Sequence, residues 1–281
     1  MRILVTGQRG GVGSVVAAHL ADQGHDITGF DIADGQDVLD AGAVRRAAAG
    51  CTAIVHLAAL AHDSAGSPEQ IMAVNVLGTW HALLAAQSAG VTRVVHFSSA
   101  QVFGTAEGER VPDYLPLDDA HPRRAGRPYG MSKVLSEDLC EGFSGRIGIA
   151  TICLRPVHVW LPEFYQRAEM RWQADPAAEW TPHWEFGGFV DARDVAAAVE
   201  CALAAPVDGH VRALLCADDI AASAPSLEMA RRLTPEVPVR GPDRYRAAPD
   251  RALVDCSTAK TLLGWRPRYR WSARGALRAA E

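Results

Sequence analysis

The sequence predicts an α/β protein, a doubly wound parallel sheet with helices on both faces, ending in a small C-terminal lobe. Two observations predict the sheet. Short, β-branched apolar runs alternate with longer stretches of helical period through the first two-thirds of the chain, and the first run ends in a glycine-rich turn that opens a helix. A third observation, the loss of that alternation after about residue 155, predicts the lobe. In order, residues 2–6 read as a buried strand, 12–23 as a helix, 26–31 as a second strand and 52–57 as a third. A long helix follows over 68–89, with Pro68 in its first turn and Gly90 as its C-cap. Residues 92–98 read as a strand, 129–143 as a helix and 148–155 as a strand. Such order means crossover units and a sheet buried on both faces.

Beyond that point residues 156–190 carry Trp160, Trp172, Trp180 and Trp184 without a clean period. Residues 191–205 return as a helix and 211–216 as a strand, and 235–249 read as a Pro- and Arg-rich loop. The expected division is 1–155 for the sheet domain and 156–281 for the lobe, interleaved with the last sheet elements over 191–216.

The chain has 281 residues, 48% of them hydrophobic and 22% charged, enough to bury a full core. A net charge of −5 offers no basic surface, so no nucleic-acid partner is expected. Cys51, Cys140, Cys153, Cys201, Cys216 and Cys256 lack CxxC spacing, which argues against a disulfide framework or a zinc knuckle. No histidine cluster has metal-ligand spacing, His158 and His183 included, and no metal is expected. No secretory apolar region follows Met1 and no apolar run is long enough to span a bilayer, so a cytoplasmic protein with no membrane partner is expected. Of 28 basic residues only Lys133 and Lys260 are lysines, so a lysine that completes a motif carries unusual information.

The first turn reads Gly7-Gln8-Arg9-Gly10-Gly11-Val12-Gly13. Glycines at 7, 10 and 13 permit a tight turn, close approach of the backbone to a pyrophosphate, and close helix–strand packing. The helix that follows supplies N–H groups and a positive dipole end. Strand, loop and helix in this order predict a Rossmann fold. Asp31 ends the second strand, where a carboxylate accepts hydrogen bonds from both ribose hydroxyls of NAD and repels the 2′-phosphate of NADP. Arg9 is a counter-signal, since an arginine there can pair with that phosphate. NAD is the expected cofactor, and NADP the less favoured one.

Tyr129 and Lys133 stand at i and i+4 and share a helix face. A cation there is expected to lower the phenol's pKa, so that Tyr129 can act as general base or acid near neutral pH.

With these residues in hand, the chain resembles the extended short-chain dehydrogenase/reductase superfamily, of the NAD-dependent epimerase/dehydratase type, over nearly its whole length. Residues 6–13 are similar to its cofactor loop, and Asp37-Val38 to the segment that contacts adenine. His56-Leu57-Ala58-Ala59 resembles the stretch that lines the cofactor, and Asn75 sits in an N-x-x-G-T helix. Residues 97–104 resemble the family's SSxxxYG element and put Ser99 at the catalytic Ser/Thr position. Residues 154–156 resemble its LRP strand end, with Pro156 in the implied cofactor set. Residues 189–195 resemble FVxVxDV, and Asp255, Ser257, Lys260 and 263–267 its C-terminal D-x-S-K…LGWxP signature. The resemblance implies that Gly7, Arg9, Gly10, Gly11, Val12, Gly13, Asp31, Asp37, Val38, Leu57, Ala58, Ala59, Asn75, Tyr129, Lys133 and Pro156 bind the cofactor. It implies that Ser99 and Tyr129 bridge a substrate oxygen, that Tyr129 takes its proton as hydride passes to the nicotinamide, and that Lys133 holds the ribose.

The departures bear on substrate. The Asp-Glu pair of the 4,6-dehydratases is replaced by Ala100 and Gln101, neither of which can act as the required acid or base, which argues against that elimination chemistry. The arginine that binds a diphosphate in nucleotide-sugar members is replaced by Gly187, and His158 stands where a substrate-contacting Asn is common. The span from Arg155 to Asp191 is short. These features point to a smaller or differently held sugar-type substrate. Hexuronate dehydrogenases of the superfamily hold a carboxylate with an arginine from this region, for which Arg167 and Arg171 are the candidates. Ser99, Gln101, His158, Arg167 and Arg171 make up the expected substrate set. The expected function is an NAD-dependent oxidoreductase or epimerase on a sugar hydroxyl; a uronate-type dehydrogenase and a non-catalytic NAD(P)-sensing protein are the alternatives. The resemblance also implies a homodimer formed through the helices at 68–89 and 129–143.

Overall fold

The computed structural model describes residues 1–105, 108–174, 186–222, 224–271 and 277–279, with the backbone alone at 171–173 and 277–279. Five parallel strands come first: β1 (Arg2–Thr6), β2 (Asp26–Phe30), β3 (Ala53–His56), β4 (Arg93–Phe97) and β5 (Ala150–Pro156). The last strand of the sheet, β8 (His210–Leu215), returns after the two-residue strands β6 (Val159–Trp160) and β7 (Val190–Asp191). The sheet order is β2-β1-β3-β4-β5-β8, parallel throughout. The winding reverses between β1 and β3, which opens a crevice at the carboxyl ends of those two strands.

Strand alternation sorts the core into two layers. Ile3, Val5, Ala53, Val55 and Val95 face one side with Val16 and Leu20 of α1 (Gly11–Asp22) and Val195 and Val199 of α7 (Ala192–Ala204). Leu4, Ile54 and Val94 face the other, against Val44 of α2 (Ala41–Ala48), Leu83 of α4 (Gly78–Ala89) and Phe143 of α5 (Pro128–Ile147). The expected helix over 68–89 forms as α3 (Pro68–Met72) and α4 joined by a π-helical turn, Ala73–Leu77, which carries Asn75. Ser67 and Gln70 form a reciprocal capping box at its start.

The stretch after residue 156, where no period is legible, holds a helix, α6 (Pro162–Ala174). Trp160, 1% exposed, packs there with Tyr165, Phe189 and Trp271. Trp180, Trp184, His183 and the side chain of Trp172 lie outside the described residues. The expected loop over 235–249 contains α9 (Asp243–Ala247), following α8 (Ser226–Leu233). The C-terminal signature docks on α7. Trp265 donates its indole N–H to the Asp194 carbonyl at 2.9 Å, and the Asp194 carboxylate accepts the amides of Arg268 and Tyr269. Beyond α10 (Ser257–Leu262), β9 (Tyr269–Trp271) pairs antiparallel with β10 (Leu277–Ala279).

Candidate active site

The glycine loop leaves β1 at the crevice. Gly7 has φ +74°, and a Cβ there would stand 2.7 Å from the Ala58 nitrogen. At Gly13 a Cβ would meet the Gly7 carbonyl at 2.0 Å, so this glycine lets α1 start directly against the loop. Gly10 is the extended N-cap of α1, with no side chain capping that end. The side chain of Leu161, at the entrance to α6, covers Gly11, so lobe and loop meet here.

Asp31 organises the loop from the end of β2. Its carboxylate, 7% exposed, accepts the Arg9 amide at 2.8 Å and the Ala33 amide at 3.0 Å. The Arg9 guanidinium turns outward instead, in a fork onto Asp34 with contacts of 2.6 and 3.0 Å. Asp37 accepts the Leu39 amide, and Val38 is buried against Gly78. Leu57 and Ala58 are tied to the Thr6 carbonyl and hydroxyl.

Asn75, in the expected cofactor set, is held by protein groups in this structure. Its amide donates to the Leu60 carbonyl at 3.0 Å and the Ser132 hydroxyl at 2.9 Å, and its oxygen accepts the Leu60 amide at 2.8 Å. With the side chain 1% exposed and committed to these groups, Asn75 fixes the loop after β3 at Leu60. Pro156 closes β5 beside Leu215 of β8.

The polar centre lies where β4 and α5 meet. Ser99 begins the 3₁₀ turn after β4, accepts the Gln101 amide at 3.1 Å, and hydrogen-bonds the Tyr129 phenol. Lys133, one turn along α5, donates to the Phe97 carbonyl at 2.7 Å and lies 5.7 Å from the centre of the Tyr129 ring. Burial holds the Lys133 ammonium down at about 8.

The phenol reverses one expectation. Burial pushes Tyr129 up to about 12, the Ser99 hydrogen bond opposes that, and the Asp63 charge adds to it. The Lys133 ammonium is itself desolvated and donates to the Phe97 carbonyl. The resting pair is a protonated phenol beside a weakly held ammonium.

Behind this pair sits a buried acid that sequence reasoning missed. Glu137, fully buried, accepts the Ser98 hydroxyl at 2.6 Å and the Arg155 fork at 2.7 and 2.8 Å, and is ion-paired with Arg212 at 3.1 Å. Its signal was present, since Glu137 is i+4 from Lys133 on the same helix face. His56 and His96 stack at 5.6 Å on β3 and β4; burial holds His56 down at about 3 and His96 well below its ordinary value, so both are neutral. Asp63, also missed, accepts the Tyr129 amide at 2.8 Å from 66 residues away.

The substrate candidates are less tightly gathered. Gln101 is next to Ser99, and its carbonyl lies 2.8 Å from the Cβ position of Gly130. The His158 ring packs edge-on to Phe164 at 5.0 Å, and burial lowers its pKa. Arg167 is exposed and lies over the other partner of that contact, 5.6 Å from the Phe164 ring centre. The Arg171 side chain lies outside the described residues. Among the described residues no group of three or more His, Cys, Asp or Glu could hold a metal, and no helix is long and apolar enough to cross a membrane.

Residues 3–216 match the profile of the NAD dependent epimerase/dehydratase family. Over 166 residues the chain is 33% identical to the uronate dehydrogenase of Pseudomonas syringae pv. tomato, a match covering 55% of this chain and 58% of that one. Over 173 residues it is 32% identical to the UDP-glucose 4-epimerase of Streptomyces lividans, covering 54% of this chain and 50% of that one. The chain thus spans between 50% and 58% of the length of these curated relatives. A short-chain dehydrogenase/reductase superfamily protein from Agrobacterium tumefaciens, solved with bound NAD, superposes with a TM-score of 0.71 at 26% identity, covering 98% of this chain and 94% of that one.

Proposed function

The chain belongs to the NAD-dependent epimerase/dehydratase family, and from that premise we propose that it is an NAD-dependent oxidoreductase or epimerase acting on a hydroxyl of a sugar or sugar derivative. The observation that carries this reading is the buried Ser99–Tyr129 hydroxyl pair, backed by Lys133, at the same end of the sheet as the glycine loop. The residues fit NAD. Gly7, Gly10 and Gly13 keep the loop and the start of α1 free of side chains, and Asp31 presents a carboxylate at the end of β2. Arg9, engaged by Asp34, is turned from the role of phosphate ligand, which favours NAD over NADP. When bound, NAD supplies the hydride acceptor.

In this reading Ser99 orients the substrate hydroxyl, Tyr129 exchanges its proton at the phenol oxygen, and Lys133 supplies the nearby positive charge. A phenol held at about 12 is a proton donor at rest, and the approach of positive charge is what makes it a base. We also assign a homodimer, through the outward faces of α4 and α5. Leu77, at the end of the π-helical turn that leads into α4, and Met131 and Leu135 of α5 are 43%, 39% and 42% exposed.

A uronate-type dehydrogenase is the second reading. It is favoured by Arg167, whose guanidinium stands free of carboxylates among the described residues, one aromatic ring from His158. The test is a screen of free hexoses, hexuronates and nucleotide sugars with NAD, read by nicotinamide absorbance and by an epimer assay, on the parent and Tyr129→Phe. Cofactor-dependent turnover that survives Y129F overturns the assignment of Tyr129. Binding of NAD without turnover on any sugar class favours a non-catalytic sensor.

A further inference from the structure

We propose that Asp63 is a positioning residue for Tyr129: its carboxylate, carried on the loop after β3, fixes the amide of the phenol-bearing residue and sets the charge beside the phenol. The inference rests on the reading of Tyr129 as the proton-exchanging group.

The argument begins with the start of α5. Its N-cap is Arg127, whose guanidinium can only donate, and its first helical residue is Pro128, which has no N–H. The first amide of the helix that needs an acceptor is therefore that of Tyr129 itself. Asp63 Oδ1 supplies it at 2.8 Å, and a carboxylate at a helix N-terminus is favoured by the dipole.

The same loop is fastened to Tyr129 by a second route. Asn75 holds both the amide and the carbonyl of Leu60 and donates to Ser132. The Ser132 hydroxyl in turn donates to the Tyr129 carbonyl at 2.7 Å. The Tyr129 amide is thus held directly from the segment that continues Leu57, Ala58 and Ala59. The Ser132 hydroxyl that holds its carbonyl accepts from Asn75, which also fixes Leu60 of that segment.

The charge of Asp63 acts on the phenol as well. The groups facing the phenol are Ser99 from the turn after β4, Lys133 along α5, and Asp63. Glu137, farther along α5, is engaged by Arg155 and Arg212, and His56 and His96 on the sheet are neutral. Asp63 is the carboxylate of this set, and its charge disfavours the phenolate.

The test uses the full chain without substrate, so its outcome does not depend on whether a substrate has been found. Protein labelled with fluorotyrosine, whose phenols ionise at lower pH than those of tyrosine, is titrated by fluorine NMR, with the Tyr129 signal assigned by its loss in Y129F. Asp63→Asn keeps an acceptor and removes the charge. The expected result is a Tyr129 midpoint lower by about half a pH unit or more, with exchange of the Tyr129 amide hydrogen unchanged. Asp63→Ala removes both, and should lower the midpoint and also speed that exchange by about fivefold, as for a lost helix cap. A Tyr129 midpoint that stays put in D63N overturns the charge assignment, and unchanged amide exchange in D63A overturns the positioning. Should D63A fail to fold, the D63N midpoint decides.

Discussion

Replacing Glu137 by alanine removes the acid that holds the sheet to α5 behind the Tyr129–Lys133 pair. Arg155, 1% exposed, would lose hydrogen bonds of 2.7 and 2.8 Å and keep Asp119 at 3.3 Å. Ser98 would lose its acceptor at 2.6 Å. Removing one partner of a buried ion pair costs about 3–5 kcal/mol, because the surviving charge is left in a low-dielectric site. Against a total stability of about 5–15 kcal/mol, Glu137→Ala should fold with a much smaller margin. The assay is urea unfolding at unchanged m, with the double variant Glu137→Met/Arg155→Met as control. The double variant should recover part of the loss, since it removes both charges and refills the space but leaves Arg212 and Asp119 without these partners. A loss below about 1 kcal/mol in the single variant, or a double variant less stable than the single, refutes the reasoning.

The pH dependence gives the same prediction a sign. Burial pushes the Glu137 carboxyl up, and the hydrogen bonds and charge of Arg155, with Ser98 and Arg212, outweigh it, so the net shift is downward from 4.5. A carboxylate lowered in the folded state contributes stability that is complete above its unfolded value and is lost as pH falls through the folded one. The stability gap between the parent and E137A should therefore narrow in acid, below pH 4.5.

Two further outcomes are expected. Lys133 is lowered to about 8 by burial, so the folded state binds fewer protons than the unfolded chain between there and the ordinary lysine value. Lys133→Met should then be more stable than the parent at pH 7 by about 1–2 kcal/mol, after the lost bond to Phe97, while losing turnover. That advantage should shrink as pH rises from about 8 toward 10; an advantage that grows instead counts against a buried cation. Asp34→Ala should free the Arg9 guanidinium and narrow the preference for NAD over NADP by about threefold or more, measured by calorimetry. An unchanged ratio means that Arg9 does not reach the ribose.

Much of this was legible in the sequence because it is local. A glycine at 7, 10 and 13 states its own reason through the turn, and a tyrosine and lysine four apart share a face wherever the helix lies. The six sheet strands were readable as apolar runs with short connections, and Ser99 followed from counting along one motif. Helix α6 was not, because its apolar positions serve an aromatic cluster drawn from Phe189 and Trp271 far along the chain.

The order of elements, the glycine-rich loop and the Tyr129–Lys133 pair were set by the sequence alone, since spacing on a helix or a turn needs no partner. Only the tertiary structure decided what those groups feel. Asp63 reaches Tyr129, Asp34 takes Arg9 from the loop, and Asn75 turns to Leu60 and Ser132. The phenol rises where spacing predicted that it would fall. Proximity across 66 residues and the loss of water around a side chain exist only after the chain has closed on itself, and they decide how a group holds its proton.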